Sequence, residues 1–162
     1  LAALGLLAAG GACTERREPP PAPVEAAPAH PLPSAAPIEP KFAPGEGPRI
    51  RGTVMLTPEV AAQAVGHPVV LILRSAQGGG MPIAVLRIED PSFPLGFDLG
   101  AEHAPLQADD THALLRAENK LFARVSISGV LTGGPEDLES APVLVRAGGP
   151  EVTLTIDHRR GP

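Results

Sequence analysis

Proline decides which part of this chain can fold. Ten of its 21 prolines lie between Pro19 and Pro44, one to five residues apart, mostly with alanine between them. Proline has no backbone N–H and fixes φ, so neither a helix nor a strand ladder propagates through such a run. The remaining apolar content is largely alanine, too small to drive collapse. Residues 13–47 therefore read as a disordered Pro/Ala-rich tether of polyproline-II character. Such a spacer reaches about 3.1 Å per residue at full extension. Folding is left to the remainder of a 162-residue chain, enough for one small domain.

The residues before the tether point outside the cytoplasm. Residues 1–12 are Leu, Ala and Gly, ending in small residues. The run is too short to span a bilayer but fits the apolar core and cleavage zone of a secretory signal. Its basic flank and initiator Met are missing, so it reads as a signal-peptide remnant. Cys13 is the chain's single cysteine, which excludes an intrachain disulfide. The stretch resembles a lipobox, with Gly10 where that pattern usually carries Leu. Cys13 is then the lipidation site, and the protein is expected in the cell envelope, anchored to a membrane on its periplasmic face.

After Pro48 the pattern changes. Ile50, Gly52, Val54 and Leu56 alternate with Arg51, Thr53 and Met55, the period of a half-buried strand. Thr57-Pro58-Glu59 reads as a helix start, and Gly66 as its stop. Residues 69–73 form a continuous apolar run, as in a strand buried on both faces. Further strands are read over 81–88, 93–99, 121–127, 143–145 and 152–156, separated by Gly, Pro and Asp clusters. The segment 101–119 is left irregular, its His-Ala-Leu-Leu-Arg stretch suiting one or two helical turns or a strand. About seven short strands with such turn signals predict an all-β fold, a single small β-sandwich over residues 48–159.

Composition narrows function by exclusion. A net charge of −5 argues against nucleic acid, which demands a basic field. The serines lie in no recognisable nucleophile elbow, and the five histidines form neither HxH nor HExxH. A copper set of His103, His112 and Met81 is conceivable, but solvated loop residues are the simpler reading. The acidic pairs Asp109-Asp110 and Glu136-Asp137 read as turn residues. There is no phosphate-binding glycine loop and no haem-attachment motif. No enzyme, cofactor or metal is expected.

Five blocks carry a positive signal: IRGTVMLTPEVAA at 50–62, GGGMPIAVLRI at 78–88, FPLGFDL at 93–99, ARVSISG at 123–129 and PEDLES at 135–140. In that order they resemble the C-terminal periplasmic domain of the c-type cytochrome biogenesis protein CcmI/CycH. The family's transmembrane helices and tetratricopeptide repeats are replaced here by a tether. Its acidic pair after the fourth strand is here Gly100-Ala101-Glu102. The resemblance implies a part in c-type cytochrome assembly, holding or scaffolding unfolded apocytochrome c, with apocytochrome or the haem-ligation machinery as partner. A generic envelope protein-binding module is the alternative. The candidate client surface is Met81 and Ile83 with Phe93 and Phe97, since Met adapts to varied partners and aromatics anchor interfaces. Burial of the phenylalanines would shift that surface to 101–119. Binding is expected to depend weakly on salt.

Overall fold

A computed structural model describes residues 41–130 and 132–161. The signal-like run, Cys13 and most of the tether lie outside the described residues. The described chain is all-β with short helical insertions. Its elements are β1 (Ile50–Leu56), α1 (Pro58–Ala64), β2 (Val69–Ser75), β3 (Ala84–Ile88), β4 (Leu95–Leu99), a 3-10 turn (Ala101–His103), α2 (Thr111–Arg116), β5 (Asn119–Val125), β6 (Leu138–Ser140), β7 (Val143–Val145) and β8 (Val152–Arg159).

The eight strands form one hydrogen-bonded sheet in the order β3-β2-β5-β6-β8-β1-β4, with β7 also pairing β5. The sheet folds over at β6. This three-residue strand pairs β5 through Arg124–Glu139 and Val125–Leu138, and pairs β8 through Leu138–Arg159 and Ser140–Ile156. A register shift between Glu139 and Ser140 marks the corner, as where strands pass from one layer of a sandwich to the other. The chain then resumes as β7 beside the first half of β5. The inner faces of both halves share one core: Leu71, Leu73, Leu121 and Val125 from one, Val54, Leu99, Leu154 and Ile156 from the other.

Two local features close the structure. The outermost strands in sequence, β1 and β8, pair in parallel from Gly52–Val152 to Leu56–Ile156. Gly52 permits this. A Cβ there would collide with the Val152 carbonyl and come within 2.9 Å of the Phe97 ring. On the other side of β1, β4 pairs antiparallel.

The seven strands read from the sequence each correspond to an observed strand; β6 is the addition. At the start of α1, Thr57 has the extended backbone of a cap (φ −77°, ψ 154°), but its hydroxyl makes no capping bond. Pro58, the first helical residue, brings no orphan N–H of its own and presets φ for the helix. The segment left irregular is ordered. Ala101, Ala104 and Leu115 are core residues, and the buried Asn119 amide donates to the Leu114 and Ala117 carbonyls, closing the end of α2.

The chain meets this fold before β1. Lys41 pairs with Asp109. Phe42 packs against the core and over His112, ring centroids 4.7 Å apart.

Candidate functional surface

β2 places Val69, Leu71 and Leu73 in the core and turns Val70, Ile72 and Arg74 to the other face. Cross-strand register extends that outer face into rows. Val70 lies between Arg87 of β3 and Arg124 of β5, and Ile72 lies between Val85 and Phe122. Arg74 lies opposite Lys120. An apolar row is thus flanked by a cationic row at each end. Consecutive outward positions on a strand are about 6.6 Å apart, so the two cationic rows are about 13 Å apart along β2.

Loops raise walls around this face. Pro105, from the segment after the 3-10 turn, and Val130 and Thr132, from the connection to β6, enclose a trough of about 380 Å³ over Val70, Ile72 and Val85. A second hollow of about 280 Å³ continues past Arg74 over Lys120 and Phe122 towards Gly78, Gly79 and Pro142. Arg74 lines both; the first follows β2 from Val70 to Arg74, and the second crosses β5 at Lys120 and Phe122 towards Glu139 and Ser140.

The cations differ in their partners. Arg124 is nearly buried; its Nε donates to Glu139 Oε1 at 2.7 Å, and its guanidinium carbon lies 5.9 Å from the centre of the Phe122 ring. Arg87 pairs with the exposed Glu89. Arg74 and Lys120 make no ion pair among the described residues.

The residues expected to bind a client fall in separate places. Met81, 62% exposed, stands at the approach to β3 beside Pro82, which lines the trough. Ile83 is half-buried against the core. Phe93 lines a different groove, of about 400 Å³, with Met55, Leu56, Ala61 and Pro94. Phe97, 7% exposed, belongs to the core, on β4 opposite Gly52 of β1. β3 and β4 follow each other in the chain yet occupy opposite ends of the strand order, so the four residues form no common patch through strand pairing. Cys13 lies outside the described residues. His103 Nδ1 accepts from the Gly100 N–H at 3.2 Å and His112 stacks on Phe42. Among the described residues no cluster of three His, Cys, Asp or Glu side chains suits a metal.

The sequence does carry the signal for the trough. The apolar run at 69–73 reads as doubly buried, and its outward members Val70 and Ile72 are the trough floor. Phe122 and Arg124 alternate against Leu121 and Ala123, a second face that a search for core positions passes over.

The chain matches the family of the Ig-like domain of cytochrome c-type biogenesis protein H over residues 50–157. No curated protein and no solved structure matches it.

Proposed function

The chain belongs to this cytochrome c-type biogenesis family and acts in cytochrome c maturation; from that premise we propose that its β-domain holds or scaffolds unfolded apocytochrome c for haem ligation at the periplasmic face of a membrane. The family match over residues 50–157, from the start of β1 into β8, carries the reading. An open trough and an apolar groove suit a protein that holds a polypeptide partner. Fold alone does not select a client, so the deciding measurement compares two states of one client. Titration of the full chain with apocytochrome c and with holocytochrome c should show binding to the first and at least tenfold weaker binding to the second. Equal affinity for both, or none for either at about 100 μM, would leave only an envelope protein-binding module.

The anchor belongs to the same proposal. Cys13 stands after the small-residue run where a diacylglycerol would be attached, and a tether of about 35 residues would let the domain reach a client away from the bilayer. Intact-mass measurement of the mature protein should give a lipid-modified N-terminal Cys13. An unmodified thiol there, or an N-terminus elsewhere, would refute it.

A further inference from the structure

We propose that the trough on the outer face of β3, β2 and β5 binds an extended polypeptide segment in which two carboxylates flank an apolar side chain, all three on one face. The inference rests on the reading that the domain holds a polypeptide, and adds which surface does so and what chemistry it selects.

Charge placement carries the argument. The whole chain has a net charge of −5, yet this one face gathers Arg74, Arg87, Lys120 and Arg124. Two carboxylates pair with these four cations: Glu139 with Arg124 and Glu89 with Arg87. Arg74 and Lys120 are direct cross-strand neighbours. Like charges opposite one another on a sheet cost stability, and among the described residues no carboxylate pairs with either. An anion from outside offsets that repulsion.

Shape selects the kind of anion. The apolar row of Val85, Ile72 and Phe122 lies between the cationic rows; Ile72 is buried at its base, but the half-buried Val85 and Phe122 on either side leave apolar surface that a bare anion does not cover. The trough follows β2 from Val70 to Arg74, and the cationic rows are about 13 Å apart, the span of four residues of extended chain. A segment of the form acid–x–apolar–x–acid places its three side chains on one face at that period. The apolar side chain seats over Ile72, one carboxylate meets Arg74 and Lys120, and the other meets Arg87. The walls at Pro105 and Val130 make the surface concave, which suits a chain segment better than a bilayer.

The test uses the full chain, isotope-labelled, and a capped peptide, Gly-Glu-Thr-Leu-Thr-Glu-Gly, followed by NMR. The expected shifts centre on Val70, Ile72, Val85 and Phe122. Replacing both peptide glutamates with glutamine should weaken binding about tenfold, as should Arg74→Glu with Lys120→Glu in the protein. Both substitutions lie on exposed side chains, so the fold persists, and the spectrum verifies it. A lysine-bearing peptide should bind the doubly reversed protein better than the wild type. Equal binding of the glutamate and glutamine peptides, absence of binding, or shifts centred on Met55 and Phe93 would overturn the proposal. So would binding of phosphatidylglycerol vesicles through the same residues without binding of the peptide. The peptide contains no cytochrome sequence. Its failure is therefore separable from that of the apocytochrome titration, which the Phe93 groove could satisfy alone.

Discussion

Arg49 ties three pieces of chain together. Its Nη2 donates to Glu102 Oε1 at 2.7 Å and to the Asp98 carbonyl at 3.2 Å, and its Nε pairs with the Asp98 carboxylate. The side chains of Arg49 and Glu102 are about nine-tenths buried. Burial pushes the Glu102 and Asp98 carboxyls up, but the guanidinium outweighs it and holds both below their ordinary range. Asp137 reaches the same state by other means: burial raises its pKa, and the N–H groups of Ser128 and Gly134 more than reverse that. Each of the three titrates lower folded than unfolded. Their stabilisation is therefore complete above the ordinary carboxylate pKa and is lost as pH falls through the folded values. Thermal melts should show a plateau near neutrality and a decline into acid. Arg49→Ala strands a nearly buried Glu102 and should cost about 3 kcal/mol, with a shallower acid decline; an unchanged melt would refute the clamp. Nothing in the sequence discloses this cluster. Arg49 and Glu102 are 53 positions apart, and which acid an arginine meets depends on the closed fold, not on local pattern.

At the level of elements, period and burial agree where one face of a strand is core. β1, β4, β5 and β8 alternate in the sequence because their inward residues pack and their outward ones do not. Leu71 lies in the middle of β2, fully buried between Leu86 and Ala123. Leu71→Ala should cost about 2–5 kcal/mol, read as a drop in denaturation midpoint; a wild-type midpoint would mean that β2 is not central to the core. Two elements were poorly legible. β6 contributes a single apolar residue, Leu138, inside an acidic stretch that reads as a turn, and it is a strand because β5 and β8 both offer it partners. α2 is too short to display a helical stripe, and its end is fixed by Asn119 from the next strand. The outer trough was hidden for the opposite reason: its apolar floor reads as more core, and its arginines read as ordinary solvent-facing residues.

For the molecule as a whole, the proline pattern predicts a fold that begins near residue 48, but the described chain joins the core earlier. The strand pattern starts at Ile50, yet Phe42 already covers part of the core and His112. A fragment of residues 48–159 should fold alone, and one of residues 41–161 should be more stable by about 1 kcal/mol, the worth of a partly buried phenylalanine. Equal stability of the two would show that the Phe42 contact contributes nothing. The parallel pairing of β1 with β8 also sets how the domain withstands force. Because the two strands run in the same direction, the N-terminal end of β1 and the C-terminal end of β8 lie at opposite ends of their shared ladder. Tension applied at Ile50 against Arg159 then shears the ladder, so its hydrogen bonds carry the load together. An antiparallel pair pulled from neighbouring ends would open like a zip, one bond at a time. A domain loaded between its two ends therefore meets that load in shear along the β1–β8 ladder rather than one bond at a time.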